Sequence, residues 1–259
     1  NIKVRRSSIN KGCRNAVIDG IDWFFNNVDQ GIIIEDDISI SDNCLLAFIQ
    51  LLKDYKSNKN IMTISSHNEF INFNEQVLIK SPVWRAWGWA TWREKWLIHK
   101  EFSKKATKYS INKINSMLPK TIANIYSAEL IKSCQLGLFD TWDFEFNFSH
   151  LALGYSSLTI SGYNSVNFGF DIEATHTKES LEDSFKYKTN NNNKINTSEI
   201  IEMDIETKEL TLSKCCFTKN KIENKLKEGF ISKKISLIFL LRKIKRSIIK
   251  RLDYLNKIN

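Results

Sequence analysis

The sequence predicts an α/β fold, a sheet covered by helices, and two features carry that prediction. Gly31-Ile32-Ile33-Ile34 is an uncharged run with three β-branched residues, and it leads directly into Glu35-Asp36-Asp37. A short Ile run of this kind reads as a strand buried on both faces, as in a parallel sheet. The acids then lie just past its carboxyl end, because none can sit unpaired inside it. The second feature is the succession of patterns around that run: helical spacing, strand, acids, helical spacing, strand. Only 2 Pro and 9 Gly argue against a turn-rich β protein, and 42% hydrophobic residues with 7 Trp argue against disorder.

Taken in order, Lys3 to Lys11 is basic and polar and ends in the turn signal Asn10-Lys11-Gly12. Val17, Ile21, Phe24 or Phe25, and Val28 recur at helical spacing, and Gln30-Gly31 leads into the Ile strand. Ser41 or Asp42 is placed to cap a second amphipathic helix through Leu45, Phe48, Ile49, Leu52 and Tyr55. Lys56 to Asn60 is a polar turn, and Ile61 to Ser65 is a short strand. Residues 103–138 read as peripheral helices, with Pro119 in the first turn of one carrying Ile122, Ile125, Tyr126 and Leu130. Phe139 to Phe146 opens a helix that is apolar nearly all round. Ser157 to Ile160 is a further strand, residues 189–197 form an Asn-rich linker, and 199–212 is expected to hold a small hairpin.

Three carboxylates crowded at a strand end repel one another unless a cation joins them. A hard divalent ion with oxygen ligands, Mg²⁺ or Mn²⁺, suits them and usually brings a phosphate. Ligands of open α/β sheets bind at this end of the strands. The alternative is a helix cap, but Ser41 and Asp42 already fill that role.

Five Trp fall within thirteen residues, Trp84 to Trp96. They are either a block of core or a ligand wall. Small residues Ala86, Gly88 and Ala90 alternate with the rings, and Gly88 would let a ligand approach the backbone. Aromatic faces beside a metal–phosphate site suit the C–H face of a sugar. Further on, Asp140 and Asp143 stand at the entrance of the apolar helix, as N-terminal caps or as a proton acceptor. His176, in the run Ala174-Thr175-His176-Thr177, reads by itself as an ordinary surface or core histidine or as a ligand contact.

The net charge of +9 is concentrated at one end. From Lys219 onward 13 Lys/Arg face Glu223, Glu228 and Asp253, a net of +10, which leaves about −1 for the rest. A nucleic-acid groove across the main domain is therefore not expected. Ile231, Ile235, Ile238, Leu241, Ile244, Ile248 and Leu252 follow at spacings of three or four with basic flanks. That pattern predicts an amphipathic helix on an anionic membrane surface. Five scattered cysteines without paired spacing fit reduced thiols, and no apolar run reaches the length needed to span a bilayer. A cytoplasmic protein, peripheral on the inner face of the cell membrane, is the expectation.

Asn10-x-Gly12-Cys13-Arg14, Ile34-Glu35-Asp36-Asp37, Trp87-Gly88-Trp89-Ala90-Thr91-Trp92, Trp142-Asp143 and Asn167-Phe168-Gly169-Phe170…Ala174-Thr175-His176-Thr177 occur in this order. Across residues 10–180 the set resembles bacterial nucleotide-diphospho-sugar transferases of the GT-A fold, the glycosyltransferase family 2-like group. More distantly it is similar to N-acetylglucosaminyltransferase I of family 13. The resemblance implies a Rossmann-like mixed sheet flanked by helices, a nucleotide-diphosphate sugar as donor, and a glycan or lipid-linked saccharide as acceptor. It implies that Glu35 and Asp36 hold the donor's ribose and Mn²⁺ (or Mg²⁺), with Asp37 the direct metal ligand and Asp36 beside it. Asp143 matches the catalytic base of inverting enzymes, with Asp140 its rival. Arg14 and His176 fall among the donor contacts, His176 near the diphosphate, and Trp87, Gly88 and Trp89 match the wall around donor and acceptor.

Two departures from the family pattern stand out. Ser161-Gly162-Tyr163 replaces a Pro-containing approach to the Asn-Phe-Gly loop, and the residues before the first helix are not expected to supply the first strand–helix unit of the fold. The expected organisation is accordingly a catalytic domain over 1–185 without its first strand–helix unit, a linker with the hairpin over 186–217, and a basic helical tail over 218–259. A nucleotidyltransferase and a non-catalytic, membrane-tethered glycan- or nucleotide-binding module are the competing expectations.

Overall fold

The computed structural model describes residues 1–68, 76–169 and 195–213. His176, residues 189–194 of the expected linker, and the basic tail lie outside them. The architecture is mixed α/β. A six-stranded sheet runs in the order β1-β6-β3-β7-β5-β10, formed by Gln30–Ile33 (β1), Ile61–Ser65 (β3), Val77–Ser81 (β5), Trp89–Trp92 (β6), Ser156–Ile160 (β7) and Asn196–Glu202 (β10). β3 with β7 and β5 with β10 are parallel, whereas β1–β6, β3–β6 and β5–β7 are antiparallel. Two short ladders, Ile38–Ile40 (β2) with Ser165–Asn167 (β9) and His67–Asn68 (β4) with Gly162–Tyr163 (β8), stand beside it.

Helices cover both faces. The Gly12–Asn27 helix (α1), Arg93–Ala106 (α3) and Asp143–Leu153 (α6) enclose a ring-rich cluster of Ile21, Phe25, Met62, Trp84, Trp89, Trp96, Trp142 and Phe146. On the other face Asp42–Asp54 (α2) lays Phe48, Leu51 and Leu52 on Ile64, Leu78, Leu158 and Ile160. Each such fully buried aliphatic or aromatic side chain contributes about 1.5–3 kcal/mol of burial. Ile111–Ser116 (α4) and Ile125–Gln135 (α5) pack with α6 around Phe144 and Phe148, and Leu212 of Ile205–Ser213 (α7) joins them. Among the described residues no helix is long and apolar enough to cross a membrane. The basic stretch before α1 lies along that helix, with Arg5 and Lys11 both paired to Asp19.

Four expectations change. The Ile strand is an edge strand, antiparallel to β6 and half-buried along its length, not a central parallel one. It is still covered on both faces: Ile32 turns to the α2 side and Ile33 to the α1 side, as strand alternation requires. Among the described residues only its outer edge lacks a neighbouring strand, and Ile34 is 45% exposed. Pro119 sits in a turn, because Asn124 starts α5 instead by accepting the N–H of Ser127 at 2.8 Å. The helix expected from Phe139 begins at Asp143 and stops at Gly154, whose φ of 72° is the left-handed ending glycine permits. The hairpin expected within 199–212 is a strand followed by a helix. Its residues Ile200 to Glu202 pair with β5, so this segment belongs to the sheet.

Candidate functional site

The acids follow β1 as a tight turn: Glu35 C=O accepts the N–H of Ile38 at 3.1 Å. They cap no helix, since Ser41 Oγ accepts the N–H of Cys44 at 3.3 Å and serves α2. The turn is fastened to the Asn-Phe-Gly loop. Below it β2 and β9 pair residue by residue, Ile38 opposite Asn167, and above it Phe168 N–H donates to Asp37 C=O at 2.8 Å. Gly169 makes room for the acid: a Cβ there would stand 2.2 Å from Asp37 Oδ2. Asp37 Oδ1 is buried and has no hydrogen-bond partner among the described residues. Burial, followed by the charge of Asp36, holds the Asp37 carboxyl above its ordinary value, while a backbone hydrogen bond pulls the other way.

Glu35 sits in the middle of the cluster. Burial first, then Asp37, Asp143 and Asp36, raise its carboxyl from 4.5 to about 7, against a hydrogen bond from the indole of Trp142. Asp143, the first residue of α6, therefore lies close enough to the acidic turn to be felt there. It accepts the hydroxyl of Thr141. Burial and then Asp140, Glu35 and Asp143 lift the Cys13 thiol from 9.0 to about 11, so that thiol stays protonated inside the cluster. Carboxylates from two segments far apart in sequence, with the Cys13 thiol from a third, thus meet at the carboxyl end of β1.

The two candidate bases are distinct in their surroundings. Asp140 caps a helix, though not its own: its oxygens accept the N–H of Cys13 at 2.9 Å and of Arg14 at 2.8 Å, closing the amino end of α1. Gly12 lets it approach, since a Cβ there would meet Asp140 Oδ2 at 2.8 Å.

Other expected residues stand differently. Arg14 stands in an ion pair: its guanidinium bonds Glu145 at 2.7 Å, and that carboxylate is 3% exposed. Of the Trp run only Trp87 is half-buried; Trp89 is fully buried, 4.9 Å from the Trp84 ring and stacked on Trp142 at 5.7 Å. The space beside Gly88 (φ 80°) is filled by Ile40, which a Cβ would meet at 2.2 Å. The glycine thus admits a neighbouring side chain of β2, and Trp89 is core. Ser66 Oγ lies 2.5 Å from Trp87 C=O and 2.9 Å from Ser165 Oγ, which ties the Trp87 loop to β9. Sequence reasoning missed Trp142 as a partner of Glu35, although its place beside Asp143 was the available signal. Cys13 and Thr141 carried no signal of their own.

Among the described residues no three His, Cys, Asp or Glu side chains form a ready metal cage. A Mg²⁺ or Mn²⁺ shared with a diphosphate needs only one or two protein carboxylates. Asp37 Oδ1, buried and unpartnered among the described residues, and Glu35, raised by burial and then by its neighbouring carboxylates, both fit such an ion. Compared with known proteins, the chain matches no protein-family model and no curated protein.

Proposed function

We propose that this chain is a metal-dependent GT-A glycosyltransferase. In this reading it moves a sugar from a nucleotide-diphosphate donor to a hydroxyl of a glycan or lipid-linked saccharide, with inversion. The observation that carries the reading is the meeting of the acidic turn, the Asn167–Gly169 loop and Asp143 at the carboxyl end of one strand. Asp37, with Asp36 beside it, is the group that would hold Mn²⁺ or Mg²⁺. Such an ion stabilises the charge that develops on a departing diphosphate.

The remaining chemistry belongs to the chain. An acceptor hydroxyl is too weak an acid to attack unaided, and Asp143 takes its proton while the new C–O bond forms and the bond to the diphosphate breaks. A base in that position contributes about 10²–10⁴ in rate. Asp143 is preferred over Asp140 because both oxygens of Asp140 are occupied by α1. Trp142 holds Glu35 beside the donor, and half-buried Trp87 offers a ring to a sugar face. His176 is proposed near the diphosphate from the resemblance of its run. The basic residues beyond Lys219 are proposed to hold the enzyme on the anionic inner face of the membrane, where a lipid-linked acceptor lies.

The test is incubation with Mn²⁺ and a panel of nucleotide sugars, following nucleotide release with and without saccharide acceptors. Release from one donor, lost on chelation, is the expected outcome. No release from any donor contradicts the reading.

A further inference from the structure

The buried bridge between Arg14 and Glu145 is the least economical feature of the helical layer. α1, α3 and α6 already share an apolar cluster, and an apolar pair would have packed there without desolvating two charges. Instead Glu145 is a hub. Arg14 of α1 donates to its Oε2 at 2.7 Å, Ser103 of α3 donates to its Oε1, and Ser149 Oγ donates to its C=O at 3.1 Å. Among the described residues the buried Arg14 Nε has no partner, and the guanidinium's bond is the one to Glu145.

The location of the bridge matters more than its strength. Arg14 is in the first turn of α1, and its own N–H, with that of Cys13, is what Asp140 holds. Glu145 is in the first turn of α6, two residues after Asp143. Backbone and side chain of Arg14 therefore grip the segment carrying Asp143 from both sides, through Asp140 before it and Glu145 after it. We propose that Arg14 and Glu145 are a positioning pair: their bridge locks the first turn of α1 to that of α6 and so fixes Asp143 against the acidic turn. Resting on the reading of Asp143 as the base, this gives Arg14 an indirect role and no contact with the donor.

The test compares the wild type with Arg14→Met/Glu145→Leu, Arg14→Lys and Glu145→Gln. The double variant leaves no buried charge unpaired, so it separates loss of position from loss of fold. Three quantities are read: amide exchange of Cys13 and Arg14, calorimetric affinity for Mn²⁺ with a nucleoside diphosphate, and kcat with the active donor.

In the double variant the two amides should exchange at least about tenfold faster while thermal stability is kept. Its kcat should fall at least about tenfold, with nucleotide affinity within about threefold. Arg14→Lys, which keeps the charge, should recover part of the rate. Wild-type exchange and wild-type kcat in the double variant would overturn the proposal, as would a loss of affinity equal to the loss of rate. If the double variant does not fold, Glu145→Gln decides by the same criteria, with Arg14→Lys expected to lie between it and the wild type. Should the wild type release no nucleotide from any donor, the glycosyltransferase reading falls by itself and amide exchange still decides whether the pair is a lock.

Discussion

Gly169 is the floor on which the Asp37 carboxylate rests: a Cβ at position 169 would lie 2.2 Å from Asp37 Oδ2 and 3.1 Å from its Cγ. The same loop takes the Asp37 backbone carbonyl through Phe168 N–H. Gly169→Ala should therefore push the acid aside without disturbing the sheet. Affinity for Mn²⁺ with a nucleoside diphosphate should drop by about tenfold or more, equivalent to about 1.4 kcal/mol. Circular dichroism should stay as in the wild type. Unchanged affinity would mean that Asp37 is not the ligand.

Asp143 and Asp140 should separate cleanly. Asp143→Asn should leave donor affinity nearly unchanged and slow transfer by about 10² or more, since it removes only the proton acceptor. Asp140→Ala removes the cap of α1 and should cost about 0.5–2 kcal/mol in denaturant unfolding. A well-folded Asp140→Ala protein with no activity, beside an active Asp143→Asn, would reverse the assignment.

Glu35 makes stability depend on pH in an unusual direction. Its carboxyl is raised from 4.5 to about 7 in the folded chain, so between those values the folded state holds a proton that the unfolded state has lost. The contribution of Glu35 to stability must then fall as pH rises through that window, and that of Asp37, shifted the same way, falls as pH rises above its ordinary value. Measured without divalent ions from pH 4.5 to 8, the melting temperature of Glu35→Gln should therefore rise relative to that of the wild type as pH rises. A difference between variant and wild type that stays flat or shrinks with pH would contradict the raised Glu35 carboxyl. His99 and His150, buried and depressed to about 3 and about 4, oppose the fall within the same window: they stay neutral in the fold and withdraw stability as pH falls below 6.5. The comparison with Glu35→Gln, and not the wild-type slope, therefore isolates Glu35.

Much of this arrangement was legible in the sequence because it rests on local patterns. The Ile run is a strand, its acids follow it and Ser41 caps α2, as hydropathy and capping chemistry suggest. Among the described residues, though, that strand is an antiparallel edge strand and not a central parallel one. What was not legible depends on partners distant in sequence. Nothing local says that Asp140 caps a helix that starts at residue 12, or that Arg14 is taken by Glu145. Nor could alternation tell an edge strand from a central one, since helices cover both faces of β1 either way. The Trp run divided for the same reason: Trp89 packs on Trp84 and Trp142, and only Trp87 remains half-buried.

The basic residues from Lys219 onward should confer membrane binding of their own. Each cationic side chain near an anionic surface adds about 1 kcal/mol, and 13 stand there against three acids. Co-sedimentation with vesicles containing phosphatidylserine should capture the full chain and leave a chain ending at residue 218 in the supernatant. Equal capture of both would rule the anchor out.

The most direct measurement is calorimetry of Mn²⁺ and a nucleoside diphosphate with the wild type and with Asp37→Asn. If the acidic turn holds a metal-bound diphosphate through the buried oxygen of Asp37, the wild type binds the nucleotide in a metal-dependent manner. The variant, folded as before, loses that dependence. Equal, metal-dependent affinity in the two proteins, or no binding by the wild type at any metal concentration, would contradict it.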